Sequence, residues 1–466
     1  MSETDPLDGL KALFPADRWS VEPQRLAPKL VEWRDRWEGT TPLLLLPRST
    51  AEVAAMVAWC AERGVAITPQ GGNTGLVGGQ TPRGEVLLST ERLNAVRSVS
   101  DLDDVLVIEA GATLAAAHEA ALSVGRFFPL SLASEGSATI GGLVSTNAGG
   151  VAVLRYGTMR DLVLGIEAVL PSGAVFNNLT RLRKNNTGYD LKQLLIGAEG
   201  TLGVVTAAAL KLFAALPSRA TALVGLSSAQ KALALLAFAK SRAGSALEAF
   251  ELMSAFGLAL AERNIPGCRN PLAGAHQNFV LIELAAPRAG EAEAALESLL
   301  SEALESSLIE DASLAGSEAQ RLSLWRLRES QSAAQKPEGV AWKHDIAVPV
   351  AEVARFIEQA SLAVETLSPG ARIMAFGHVG DGNIHFNVLQ PEGQDGERHR
   401  TLREAGARAV HDIADALGGS ISAEHGLGVM KTEAARLYKD PVDIAAMQAV
   451  RAALDPKRIM NPRVLF

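Results

Sequence analysis

Glycine is where this chain departs most sharply from an even texture. The first dense run is Pro69-Gln70-Gly71-Gly72-Asn73-Thr74-Gly75-Leu76-Val77-Gly78-Gly79. A second is Ser134-Glu135-Gly136-Ser137-Ala138-Thr139-Ile140-Gly141-Gly142, continuing through Asn147-Ala148-Gly149-Gly150. A third joins Asn186-Thr187-Gly188-Tyr189-Asp190 to Gly197-Ala198-Glu199-Gly200-Thr201-Leu202-Gly203. Glycine lets backbone amides approach a ligand closely, and successive N–H groups form concave anion sites. One such loop reads equally well as a set of tight turns. Three within a domain of about 150 residues favour an extended dinucleotide. The first loop matches neither Gly-x-x-x-x-Gly-Lys-Ser/Thr nor a well-placed Gly-x-Gly-x-x-Gly, which excludes P-loop and Rossmann assignments.

Local patterns around these loops read as mixed helix and strand. Ser49 and Glu52 form a capping box, and Val53, Met56, Val57 and Cys60 follow at helical spacing until Gly64. Strands are expected at 65–69, 85–89 and 105–110, with a helix near 113–124. Near Pro217 the texture changes. Strands at 221–226, 247–252, 279–284 and 308–312 alternate with helices at 229–240, 255–262 and 291–304 without glycine loops, which predicts an α+β sandwich of the ferredoxin-like kind. A longer helix at 317–335 precedes Lys343-His344-Asp345, and another is expected at 397–417. With 466 residues the chain exceeds the usual size of one core. Three parts follow: a leading segment 1–36, with Trp19 and Trp33 and then Trp37 just beyond it, a domain at 37–216, and a domain at 217–466.

Charge and cysteine usage narrow the function. A net charge of −8 and a pI near 5.6 argue against a general nucleic-acid binder, whose footprint is basic. Cys60 and Cys268 provide neither a disulfide framework nor a thiolate metal motif. The beginning, Met1-Ser2-Glu3-Thr4-Asp5, is acidic and lacks the regions of a signal peptide, and the apolar run at 43–46 is far too short to span a bilayer. The expectation is a cytoplasmic protein without a transmembrane segment.

Chemistry is concentrated in Gly377-His378-Val379-Gly380-Asp381-Gly382-Asn383-Ile384-His385. Apolar residues on both sides read as strands, and Asp381-Gly382 is a two-residue hairpin signal. Centred there, the turn puts His378 opposite His385, and directly opposed residues share a face with Cβ atoms roughly 4.5–5.5 Å apart. A lone histidine would be read as a satisfied side chain. Two, with Asn387 on the same face, predict a metal site with a third ligand elsewhere.

The first loop resembles the pyrophosphate-binding loop of the vanillyl-alcohol-oxidase-type flavoproteins. The later loops, Gly377–His385, Ala423-Glu424-His425-Gly426 and the ending Leu454-Asp455-Pro456…Met460-Asn461-Pro462 are similar to the branch containing D-2-hydroxyglutarate, D-lactate and glycolate dehydrogenases. The likeness runs from about residue 40 to the C-terminus. It implies an FAD-binding domain of two subdomains, a ferredoxin-like substrate or cap domain, and a helical segment at about 420–466 returning to the flavin. FAD would lie with its pyrophosphate on residues 71–75, beginning at Pro69 and continuing to Leu76. The expected flavin lining is Ser134, Gly136, Ser137, Thr139, Gly142, Asn147, Gly149 and Gly150, with Glu199, Gly200, Gly203, Val205 and Asn461. Some relatives attach FAD covalently through a histidine in the first loop; residues 65–85 contain none, so FAD is expected to be non-covalent.

In the resembled family the counterpart of Glu424 completes the metal site of His378 and His385, and that of His425 is the catalytic base. Two imidazoles and one carboxylate are a catalytic zinc set with positions left for substrate; manganese and cobalt are alternatives. Metal coordination makes an alcohol acidic enough for a histidine of ordinary pKa, about 6.5, to deprotonate, so that carbon 2 can deliver hydride to flavin. Arg328, Ser332 and Lys343 match positions that bind substrate carboxylate, with Ser332 standing where some relatives carry threonine. Asn387 would orient a ligand or the substrate. Two cations beside a metal suit a dicarboxylate better than lactate. The expected enzyme oxidises D-2-hydroxyglutarate to 2-oxoglutarate, with D-lactate or glycolate as alternative substrates. It would pass electrons to an electron-transfer flavoprotein or quinone pool and form a homodimer by analogy. Rival readings are a catalytically silent flavin-binding subunit and a flavin-dependent ether-lipid synthase. Trp325 and Trp342 are candidates for walling the substrate pocket, with packing the favoured reading, and His344 reads as a brace for Lys343.

Overall fold

The computed structural model describes residues 6–32 and 36–466. Trp33 and the acidic stretch from Met1 to Asp5 lie outside the described residues. The chain forms two compact units, one of Met1–Gly150, Tyr156–Ala214 and Glu424–Phe466, the other of Val151–Arg155 and Ala215–Ala423.

The first unit holds two main sheets. Strands β1 (Trp19–Ser20), β2 (Leu44–Leu45), β3 (Ile67–Gln70) and β4 (Val86–Ser89) run in the order β1-β2-β4-β3, with β4 parallel to both β2 and β3. Helix α1 (Thr50–Arg63) makes the crossover that parallel strands require. Ser49 Oγ accepts from the Glu52 N–H at 3.2 Å, and Gly64 ends the helix at φ 68°, a left-handed conformation open to glycine. Val53, Met56, Val57 and Cys60 are fully buried, and burial pushes the Cys60 thiol up to about 12. Trp19 thus belongs to the first sheet. Strands β5 (Val96–Ser100), β6 (Val105–Glu109), β8 (Val163–Val169), β9 (Val175–Asn178) and β10 (Val204–Lys211) form an antiparallel sheet in the order β5-β6-β10-β8-β9, while β7 (Arg126–Phe127) pairs with β11 (Phe213–Ala214). Helices α2 (Leu114–Leu122) and α3 (Ile140–Ser145) share its core. The glycine runs fall at the joints: after β3, entering α3, and leading into β10.

The end of the chain is tied into this unit. Met460 bridges to Ile67, and buried Arg451 donates to the carbonyls of Val464, Phe466, Met460 and Asn461. Burial pulls the Arg451 guanidinium down to about 10, with Arg458 adding to the shift and Asp455 opposing it.

The second unit is built on one antiparallel sheet. Its strands are β12 (Ser218–Leu226), β13 (Leu247–Ser254), β14 (Asn278–Ala286), β15 (Asp311–Leu314), β16 (Ala341–Ala347), β17 (Arg372–Gly377) and β18 (Asn383–Leu389), in the order β15-β12-β14-β13-β17-β18-β16. The first four, with helices α4 (Ala229–Ala243) and α6 (Glu291–Glu305) between them, reproduce the expected ferredoxin-like arrangement. The other three extend it beyond β13. Helices α4, α6, α8 (Val353–Leu367) and α9 (Arg403–Ala416) bury one face; α5 (Ala255–Asn264) and α7 (Glu318–Glu329) cover the other. The helix expected at 317–335 is interrupted: α7 ends with the Ser330 N–H turned back to the Arg326 and Arg328 carbonyls, a short helix Gln331–Ala334 follows, and Pro337 ends the run in a single 3₁₀ turn. The 397–417 helix is likewise divided, at Leu402.

Candidate active site

In the first unit the first two glycine runs come together. Gly71, Gly72, Asn73, Gly136, Ser137 and Thr139 line a cleft of about 490 Å³. An added Cβ at Gly72 would lie 1.8 Å from the Ser137 carbonyl oxygen, so that glycine is required by the close approach of the second run. Gly136 differs, because an added Cβ there meets nothing within 4 Å. Thr139 Oγ1 and Asn73 Oδ1 are buried without a protein partner, as expected of wall atoms that pair with a bound polar group. Glycine backbone from two runs and unpaired polar atoms in the wall fit a dinucleotide such as FAD. Lys29, Glu91, Asn94, Gly111 and Thr113 also line this cleft. Sequence reading did not single them out, because none belongs to a glycine run.

Several residues expected at the flavin have scaffolding contacts instead of lining this cleft. Asn147 Oδ1 accepts from Thr158 Oγ1 and the Arg160 N–H, and Asn461 Nδ2 donates to the Gly79 and Glu199 carbonyls at 2.9 and 2.8 Å. The Glu199 carboxylate accepts from the Leu427 and Gly428 N–H groups at 2.9 and 2.8 Å, gripping the turn just after His425. Burial pushes its carboxyl up, against those two N–H groups and Lys431. Pro69 packs beneath Gly200, while Val205 is buried inside β10. Thr74, Gly75, Leu76, Ser134, Gly142, Gly149, Gly150 and Gly203 are not part of the cleft wall either.

In the second unit, one sheet face carries His385, Asn387 and Lys343, with His378 just beyond the end of β17. The expected two-residue turn is not what joins β17 to β18. Phe376, not His378, pairs with His385, and the connection is a loop from His378 to Gly382 in which the Asp381 and Gly382 N–H groups both reach back to the His378 carbonyl. Gly382 has φ 91° but Asp381 is not left-handed, so a type I′ turn does not form. Shifting the register by two residues preserves the face. The imidazoles therefore still converge, with ring centroids 5.9 Å apart. On the other side of β18, Asp345 pairs with His385 and Lys343 with Asn387. Asn387 and Asp345 are buried, and Lys343 is exposed. Asp345 Oδ1 lies 3.8 Å from His385 Nδ1 and accepts from Asn383 Nδ2.

Ser420 bridges to Ala347, and the Ala423 N–H donates to the Asp345 carbonyl, so this segment is strapped along β16. Glu424 directly continues it. Ligand atoms of His378, His385 and Glu424 all lie within 4.8 Å of one another, a set that fits one divalent cation; Asp345, Glu424 and His425 form an overlapping group with a single imidazole.

Glu251, on β13, was not found from sequence. It is 1% exposed; its Oε1 accepts from His378 Nδ1 and its Oε2 from Arg328 Nε, both at 2.8 Å. Burial alone would raise its carboxyl, but His378 and Arg328 hold it at about 2. Arg328 is buried beside the Phe376 ring, whereas Ser332 is exposed on the short following helix. Trp325 donates to Glu283 and Trp342 stacks on His399, which makes both packing residues. His344 points to the opposite face, against His411, and does not brace Lys343, because neighbours along a strand alternate sides.

These features define a flavin-dependent oxidoreductase. A family model described as FAD binding domain matches residues 41–177, and one described as FAD linked oxidases, C-terminal domain, matches residues 216–465. The fold agrees: p-cresol methylhydroxylase with substrate bound superposes with TM-score 0.77 at 15% identity, covering 98% of this chain and 95% of that one. The chain belongs to the FAD-linked oxidase family, in the group of the D-2-hydroxyglutarate dehydrogenases. It is 39% identical to the mitochondrial D-2-hydroxyglutarate dehydrogenase of Bos taurus, over 98% of this chain and 82% of that protein. Identity is 35% with the D-2-hydroxyglutarate dehydrogenase of Xanthomonas citri pv. viticola, over 99% and 97% of the two chains. Among the described residues no helix is long and apolar enough to cross a membrane.

Proposed function

We propose that this enzyme oxidises D-2-hydroxyglutarate to 2-oxoglutarate with the help of a divalent cation, zinc being the first choice. The observation that carries the reading is the gathering of His378, His385 and Glu424, with Asn387 and Lys343 paired on the neighbouring strands and Arg328 of α7 joined to His378 through Glu251. Bound FAD supplies the two-electron acceptor, and a cation on the two imidazoles and Glu424 supplies Lewis acidity toward the 2-hydroxyl. The chain's own residues do the rest. Arg328 is oriented through Nε and not through its Nη pair, which suits a fork presented to a carboxylate. Lys343 provides a point charge for the second carboxylate, and buried Asn387 orients the ligand. Ser332, although exposed, remains a hydroxyl donor beside Arg328 in this reading. His425 takes the hydroxyl proton. Reoxidation by an electron-transfer flavoprotein or a quinone pool belongs to the same proposal.

Anaerobic flavin bleaching tests this. D-2-hydroxyglutarate is expected to reduce the flavin rapidly, L-2-hydroxyglutarate, D-lactate and glycolate slowly, and chelation to abolish the fast phase. Fast reduction by D-lactate alone would overturn the dicarboxylate assignment, and a rate indifferent to chelation would overturn the metal role.

A further inference from the structure

We propose that Glu251 is a positioning residue that couples cation binding to substrate-carboxylate binding, a proposal that rests on the metal and Arg328 roles given above. One carboxylate, 1% exposed, accepts from both His378 Nδ1 and Arg328 Nε. Its place follows from the sheet: β13 pairs with β17 through Leu252 opposite Gly377 and Met253 opposite Phe376. Glu251 is therefore the next residue along, beside His378 where β17 leaves the ladder.

The contact does two things. A proton on Nδ1, donated to Oε1, puts the acceptor lone pair on Nε2, the nitrogen then left to bind a cation; a carboxylate behind an imidazole also raises its basicity as a ligand. At the other oxygen, the Nε bond fixes the plane of the Arg328 guanidinium. Movement of either partner is transmitted through one rigid carboxyl group. Docking α7 does not by itself account for Glu251, since Trp325 Nε1 and Arg321 already anchor that helix to buried Glu283 at 2.7 and 2.9 Å.

Glutamine at this position has one acceptor oxygen and one NH₂ group, so it can accept from only one of the two donors and opposes the other. In flavin-loaded, metal-stripped protein titrated with zinc chloride against a chromophoric chelator, Glu251→Gln is expected to raise the zinc Kd about 10–100-fold. After zinc saturation, its KM for D-2-hydroxyglutarate is expected to rise about 10-fold or more, roughly the weight of one charge-assisted hydrogen bond. Arg328→Lys removes the Nε contact without touching a proposed ligand, and is expected to raise the zinc Kd about 5-fold or more in the Glu251 protein but not in the Glu251→Gln background. Unchanged zinc affinity in Arg328→Lys would overturn the coupling even if Glu251→Gln failed to fold, and where both variants fold, purely additive effects in the double variant would overturn it as well. Wild-type protein that binds no zinc would instead overturn the underlying metal reading, and this proposal with it.

Discussion

Replacing Gly72 by alanine tests whether the glycine runs meet as the cleft requires. The new methyl would sit 1.8 Å from the Ser137 carbonyl oxygen and 2.8 Å from its carbon. Ordinary contact lies near 3.5 Å, so the two runs must separate by about 1.5 Å, and the obstacle is backbone, which cannot rotate away. Overpacking of this kind costs about 1–3 kcal/mol, a fall of roughly 2–10 °C in Tm for a domain of this size. The same displacement takes both cleft walls out of hydrogen-bond range of one ligand. Losing one or two charge-assisted bonds of about 1.5–3 kcal/mol each predicts FAD affinity lower by at least roughly tenfold, and by about a hundredfold or more if both are lost. Gly136→Ala is the matched control, because Gly136 also lines the cleft but its methyl would meet no protein atom within 4 Å. Thermal unfolding of flavin-free protein and FAD titration by fluorescence quenching separate the two: Gly72→Ala should lose stability and affinity, Gly136→Ala affinity alone. If Gly72→Ala binds FAD like wild type, or Gly136→Ala unfolds as early as Gly72→Ala, the steric argument fails.

His378→Ala should lose stoichiometric zinc while keeping its flavin absorbance, since the glycine cleft lies wholly in the other unit; metal analysis reporting full zinc would reject the ligand role. His425→Ala should retain zinc and slow flavin reduction about 10²–10⁴-fold at neutral pH, the usual weight of a general base, and stopped-flow rates within threefold of wild type would exclude that role. Glu338 accepts from Asn264, Arg263 and Arg372; although burial opposes it, these partners hold its carboxyl at about 2, below its ordinary 4.5. Its contribution to stability is therefore complete above pH 4.5 and lost as pH falls toward 2, so Glu338→Gln should flatten the acid limb of Tm against pH and cost about 1–3 kcal/mol at pH 7. An acid limb as steep as wild type in Glu338→Gln would contradict this. Acid precipitation should release all the flavin into the supernatant, as residues 65–85 contain no histidine to tether it; a yellow pellet would refute non-covalent binding.

What was legible in the sequence is what local pattern encodes. Ser49, Glu52 and Gly64 announce α1 because caps and left-handed glycines act within one turn of chain. His378 and His385 could be paired because only six residues separate them. Even there the Asp381-Gly382 turn signal implies a register two residues away from that of the strands, which place Phe376 opposite His385. The helix Val353–Leu367 was not foreseen, and the cleft residues Gly111 and Thr113 carry no motif. Glu251 was illegible for a deeper reason. In Leu247–Ser254 the two glutamates stand three positions apart among apolar residues, so no alternation marks Glu251 as special, and nothing local says that β17, more than a hundred residues later, will lie against that strand.

That long-range pairing connects the fold to the site. In the four-stranded ferredoxin-like part β13 would be an edge, a row of unpaired N–H and C=O groups that invites association. Strands β17, β18 and β16 cover it, and the same addition brings His378 to Glu251, His385 to Asp345 and Asn387 to Lys343. The two imidazoles are not held alike. Glu251 contacts His378 at 2.8 Å across the β13–β17 junction, whereas Asp345 stands 3.8 Å from His385 and is itself engaged by Asn383. The shorter of these two carboxylate contacts thus comes from the ferredoxin-like part, and the extension carries both imidazoles. A change that loosens the β13–β17 pairing without touching a site residue should therefore weaken the hold on His378, because His378 takes a carboxylate partner, Glu251, from across that pairing.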